Sequence, residues 1–154
     1  MPAIFKYRLT VPEDAIDGLG HANNTVFFQW MQAAAIAHST EQGWSPESYH
    51  ERGIAWIARS HAIQYRRPAF AGDRIVVQTW VNDMHRVSSR REYRIYRESS
   101  TPVDTNERDS MREADSRDLI ARAHTKWVLI DLKSGSLKRI PADMAAAFES
   151  VDLQ

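Results

Sequence analysis

Of the twelve residues from Val26 to Ala37, ten are apolar, and only Gln29 and Gln32 interrupt them. The two glutamines stand three apart, on one side of a helix. A helix that is apolar nearly all round is one that other elements cover. The rest of the chain must therefore wrap it, and the rest reads as strands. Residues 3–12 alternate, with Ile4, Lys6, Arg8 and Thr10 set against Phe5, Tyr7, Leu9 and Val11, and Pro12 ends the run. Residues 54–67, 73–83, 89–98 and 118–131 predict four more strands. In the third strand, Ile75, Val77, Thr79 and Val81 fall on one face, and Val76, Gln78, Trp80 and Asn82 on the other. In the fifth, Leu119, Ala121, Ala123, Thr125, Trp127 and Leu129 are expected to point inward, and Ile120, Arg122, His124 and Lys126 outward. Gly43 stops the long helix, and Ser45-Pro46 starts a short one running to Arg52, which Gly53 closes. Gly135 marks a turn, and Pro141 opens a short Ala-rich helix. One strand, one long helix and four hairpin-linked strands make an α+β pattern, not βαβ. The predicted fold is an antiparallel five-stranded sheet wrapped around one central helix, in a single domain of 154 residues.

The helix is entered through Asp17-Gly18-Leu19-Gly20-His21-Ala22-Asn23-Asn24. Gly18 and Gly20 permit backbone conformations that side chains forbid. Asn23 or Asn24 suits the N-cap, because its side-chain oxygen accepts a first-turn N–H. First-turn amides lack internal partners, and the helix dipole puts partial positive charge there. Such an end holds an anion or a carbonyl oxygen becoming one. Asp17, six or seven residues upstream, is close enough to fold its carboxylate over the helix mouth. A carboxylate to attack or to activate water, beside an amide for the oxyanion, is a site for acyl transfer. The plainer reading of the same residues is a turn and a cap.

Asp17, Gly20, His21, Asn23, Asn24, Phe28 and Trp30 together resemble the signature of hotdog-fold acyl-CoA thioesterases of the 4-hydroxybenzoyl-CoA thioesterase type, with Phe28 where Tyr is commoner. Tyr65-Arg66-Arg67-Pro68-Ala69 with Gly72-Asp73 is similar to the family's crossing from second to third strand, and Arg139-Ile140-Pro141 to its ending. The resemblance spans nearly the whole chain apart from residues 99–117. It implies the hotdog fold and hydrolysis of an acyl thioester to free acid and CoA. It implies Asp17 as the catalytic carboxylate, nucleophile or general base, and the Asn24 amide as the group that polarises the thioester carbonyl. Gly20 and His21 belong to the same catalytic loop, with His21 either structural or against the acyl group. Acyl-CoA is the first expected substrate and an acyl carrier protein thioester the second. CoA enters as part of the substrate, with no separate cofactor.

Net charge is zero, so no global field argues for nucleic acid. With no cysteine, disulfides, thiolate metal sites and a Cys nucleophile are excluded. The six histidines show no metal-ligand spacing such as H-E-x-x-H. No signal-peptide core or membrane span is evident, and a cytoplasmic location is the expectation. The zero charge conceals a gradient. Residues 54–98 hold nine arginines against four acids, a surplus of five, while residues 99–118 hold six acids against three arginines. CoA carries phosphates, so a basic sheet face suits it. The candidates are Arg59, His61, Arg86, Arg90 and Arg91, and the family resemblance points first to the turn at His85 and Arg86. Asn23, Phe28 and Trp56 are expected to line the substrate, with Phe27, Trp30, Met31 and Ile57 either lining the same apolar pocket or filling an ordinary core. Residues 99–117 carry almost no large apolar side chain and are expected to form a mobile connection.

Relatives of this type pair sheets edge to edge, which implies a homodimer or a tetramer here. Long outer strands that need cover agree with that expectation. Three rivals remain: a non-catalytic binder of acyl thioesters, a hotdog hydratase or dehydratase, and an assembly module that uses the acidic stretch 99–117.

Overall fold

The computed structural model describes residues 4–98, 118–148 and 150; the polar stretch 99–117 lies outside them. Strand β1 (Phe5–Thr10) leads through a short helical turn at Glu13–Ala15 to the central helix α1 (Asn24–Glu41). A short helix α2 (Pro46–Glu51) precedes β2 (Ile54–Tyr65), β3 (Arg74–Met84), β4 (Ser88–Glu98) and β5 (Asp118–Asp131), and α3 (Ala142–Ala147) follows. The five strands form one antiparallel sheet in the order β1-β3-β4-β5-β2. This is the hotdog arrangement, with α1 laid along the concave face.

Every predicted strand and helix is present, with ends shifted by a residue or two. Two departures from simple alternation have physical causes. Ile120, expected to face outward, is fully buried. The β4–β5 register shifts between Ile95 and Tyr96, which leaves Ile120 as the extra residue of a bulge, and its carbonyl accepts from both Arg66 and Arg67 N–H. Val76 and Trp80 lie on the outer face of β3 and are nonetheless buried. The Arg94 guanidinium sits 5.3 Å above the Trp80 ring. A long charged side chain can lay its stem over apolar surface and keep its head in water.

The helix is less enclosed than its composition predicts. Phe27, Trp30, Met31 and Ala34 are buried, but Ile36 is 52 % exposed and Phe28 and Ala35 are only half-buried. The main core joins α1 to Ile75, Val77, Tyr93, Ile95 and Ala121 of the sheet. The inner face toward β2 is left open.

At the far end of α1, Phe5 stacks on His38 with ring centroids 5.3 Å apart, and Arg91 Nη1 donates to His38 Nδ1 at 2.9 Å. Burial first, and the Arg91 charge second, hold the His38 pKa down at about 4. An unfolded chain takes up that proton near 6.5. Between those values the unfolded chain binds one proton more than the folded one, so stability falls as pH drops from 6.5 toward 4. The expected loss approaches about 3 kcal/mol. Urea denaturation across this range should show a shallower pH slope for His38→Asn than for wild type; equal slopes would overturn the assignment.

Candidate active site

The loop before α1 is a closed hairpin. Asp17 N–H donates to the His21 carbonyl at 2.8 Å, Ile16 bridges Ala22, and Gly20 N–H returns to the Asp17 carbonyl at 3.1 Å. Gly20 has φ +82°, the left-handed region that a Cβ disfavours. The pairing carries Asp17 back to the segment that starts the helix. The hairpin is fastened at two further points: Asn23 N–H donates to the Ala15 carbonyl and Ala22 N–H to that of Ala69, both at 2.8 Å.

The Asp17 side chain is half-buried. Its Oδ1 accepts from Leu19 N–H at 2.8 Å and from His21 N–H at 3.4 Å. Among the described residues its Oδ2 has no hydrogen-bond partner. Asn23 is the N-cap, and its Oδ1 accepts from both the N–H and the hydroxyl of Thr25 at 3.0 Å. Val26 N–H is taken by the Asn23 carbonyl. The Asn24 N–H, first in the helix, makes no hydrogen bond among the described residues. One carboxylate oxygen and one helix-start amide are therefore both left free at this corner.

The surrounding walls come from β2 and from the segment after it. The Tyr65 hydroxyl donates to the Asn24 carbonyl at 2.9 Å, and the Tyr65 ring meets Phe27 edge-on at 5.1 Å. His21 meets Phe70 edge-on at 5.4 Å. One turn along the helix, Phe28 meets His61 at 5.2 Å, and His61 Nδ1 lies 2.7 Å from the Thr125 hydroxyl. Asn23→Ala, which removes the cap, is expected to cost about 1 kcal/mol of stability. Thermal unfolding checks this, and a loss below a few tenths would leave the cap without energetic weight.

The structure thus gathers Asp17, Gly20, His21, Asn23 and Asn24 at one corner, with Phe28 and His61 together one turn along the helix. Other candidates stand elsewhere. Trp56 lies farther along the groove and donates its Nε1 to the Tyr49 hydroxyl. Arg59 is exposed at a break in the β2–β5 register. His85 and Arg86 form the β3–β4 turn, where His85 stands 3.5 Å from Asp83, at the opposite end of the sheet from Asp17. Arg90 is exposed and paired with Glu92 at 2.7 Å. Arg91 departs from the expected basic outer face: it is 6 % exposed and points inward, toward His38 and Thr79. Neighbours on a strand face opposite sides, so Arg90 and Arg91 cannot share the one basic surface expected of them. The sequence does not mark Tyr65, Phe70 or Thr125 as site residues. Tyr65 stands in the segment that carries the family resemblance, but nothing in its spacing reveals a bond to the helix start. Among the described residues no three histidines or carboxylates converge as a metal site, and no helix is long and apolar enough to cross a membrane.

The sequence model of the thioesterase-like superfamily matches residues 10–148. No curated protein matches. Solved structures similar in fold include a 1,4-dihydroxy-2-naphthoyl-CoA thioesterase from Synechocystis, 23 % identical, with 94 % of this chain and 95 % of that one covered at a TM-score of 0.77. A mutant of 4-hydroxybenzoyl-CoA thioesterase in complex with 4-hydroxybenzoyl-CoA is 18 % identical, with 96 % and 100 % covered at 0.78. A Staphylococcus aureus protein solved in complex with CoA is 12 % identical, with 94 % and 80 % covered, also at 0.78.

Proposed function

The chain belongs to the thioesterase-like superfamily, and from that premise we propose that it hydrolyses an acyl-CoA thioester to the free acid and CoA. The observation that carries this reading is that the Asp17 Oδ2 and the Asn24 N–H, both at the entry to α1, have no hydrogen-bond partner among the described residues. The thioester carbonyl oxygen rests at the Asn24 N–H, where charge develops as the carbonyl carbon is attacked. Asp17 Oδ2 either attacks that carbon or takes a proton from the water that does. The C–S bond breaks, CoA leaves as thiolate, and water supplies the oxygen of the acid. Gly20 lets the loop close, Asn23 holds the helix end, and Tyr65 secures the Asn24 carbonyl from the far side. His21 contributes position, through its backbone pairing with Asp17.

The working unit in this proposal is a homodimer. β2 is an edge strand, and from Ile57 to Tyr65 most of its residues are exposed. An open edge of that length invites a partner strand. A second copy paired there also covers the groove beside His61, and it offers a surface that the distant His85 and Arg86 could serve toward CoA. A carrier-protein thioester is the alternative substrate.

The test is thiol release from short, long and aromatic acyl-CoAs, with sedimentation of the same sample. Release from at least one ester by a dimer or larger assembly is expected. CoA binding without release from any ester would replace hydrolysis with binding alone. Full turnover by a monomer would remove the dimer from the mechanism.

A further inference from the structure

The corner at Asp17 is one end of a longer groove between α1 and β2. Tyr65 meets Asn24, His61 meets Phe28, and the His61 and Trp127 rings stand 6.4 Å apart. Trp127 is in turn part of the wall of an open cavity of about 530 Å3, lined by the second half of α1, by α2 and by the inner sheet face. That volume lies within the range of small-molecule sites. Much of the wall is apolar, with Ala35, Ile36, Trp44 and Trp56 among its residues.

The polar groups deep in this wall mostly satisfy one another. The Ser39 hydroxyl donates to the Trp44 carbonyl at 2.7 Å and lies 2.7 Å from the Tyr49 hydroxyl, which also accepts from Trp56 Nε1. Arg91 is different. It lines the cavity, is 6 % exposed, and gives Nη1 to His38 Nδ1 and to the Thr79 hydroxyl, both neutral acceptors. Among the described residues no carboxylate pairs with it. A guanidinium has five N–H donors, and a buried charge without a counter-charge costs several kcal/mol. An apolar cavity with one buried, unpaired cation in its wall suits a ligand that is apolar along its length and anionic at its tip.

We propose that this cavity receives the far end of the acyl group and that Arg91 binds a carboxylate there, which makes the preferred substrate the monothioester of a medium-length dicarboxylic acid. The proposal rests on the thioesterase reading for the placement of the near end at Asn24. From Asn24 to Ala35 the helix rises ~16 Å, which sets the reach of the chain.

The experiment uses CoA thioethers, which bind without turnover. Calorimetry compares the dodecyl thioether with the carboxyundecyl thioether, whose extended chains approach that reach, on wild type, Arg91→Met and Ala35→Phe. Wild type is expected to bind the carboxylate-ended ether at least ~10-fold more tightly, the size of a charge-assisted hydrogen bond. Arg91→Met is expected to bring that ratio to one or below. Ala35→Phe, which fills the cavity, is expected to weaken both ethers. Equal binding of the two ethers by wild type overturns the proposal even if Arg91→Met fails to fold, and so does a ratio that survives in Arg91→Met. Thiol release from dodecanoyl-CoA is measured beside it. Absent release with an intact ether preference overturns hydrolysis alone, and release without the preference overturns only the role of Arg91.

Discussion

Asp17→Asn is expected to cut thiol release by at least ~1,000-fold while leaving the fold intact, the scale on which a positioned base or nucleophile acts. The fold should survive because the side chain has two separable jobs. Its Oδ1 holds the turn by accepting from Leu19 and His21 N–H, and an asparagine oxygen accepts the same bonds. Its Oδ2 meets nothing among the described residues and is the oxygen that the proposed reaction uses. Asn replaces that oxygen with an amide nitrogen, which has no lone pair to offer. Asp17→Ala removes both jobs and should lower the melting temperature as well. The comparison is kcat together with thermal unfolding for the two variants. An Asn variant with more than a tenth of wild-type kcat would confine Asp17 to the turn.

Phe27→Ala is expected to have the largest effect on stability, a loss of about 3–5 kcal/mol. Phe27 is 1 % exposed, and its ring stands 4.7 Å from Trp30 and 5.1 Å from Tyr65. Its removal opens a void between the first turn of α1 and the end of β2. A domain of this size has only about 5–15 kcal/mol in all, so the variant should be marginal at body temperature. The effect extends to the site, because the same packing brings the Tyr65 hydroxyl to the Asn24 carbonyl. Urea titration gives the stability, and kcat at low temperature gives the functional share. A loss below about 1.5 kcal/mol would mean that the neighbours collapse into the space.

The elements of this fold are legible in the sequence because each carries its own period. Leu9, Val11, Tyr93 and Ile95 alternate with polar residues, and the helix announces itself by being apolar at ten of twelve positions. The candidate site at the helix start is legible for a different reason. Asp17, Gly20 and Asn23 act through backbone bonds within a few residues, so their spacing in the chain is their spacing in space. The groove is not legible, because it joins residues far apart in sequence. Nothing local connects Tyr65 to Asn24, His61 to Thr125, or Arg91 to His38. Arg91 shows the limit most sharply. In composition it is one more arginine in a basic stretch, and only its strand parity, shared with Tyr93 and Ile95, places it inside.

The break in register on β2 has a larger consequence than its size implies. Trp56 and His61 are five residues apart, an odd interval, and in an unbroken strand they would lie on opposite faces. Arg59 is the supernumerary residue between Ala58, opposite Trp127, and Ser60, opposite Lys126. It acts as a phase change, setting both aromatic side chains on the same face of the sheet. Loss of Arg59 would leave Trp56 and His61 four residues apart, an even interval that keeps both on one face without the bulge. Loss of a different residue between them, with the bulge retained, would turn His61, Ile63 and Tyr65 outward together and trade them for Ala62 and Gln64. Deletion of Arg59 should therefore be tolerated better than deletion of any neighbouring residue of the strand, and insertions in pairs better than single ones.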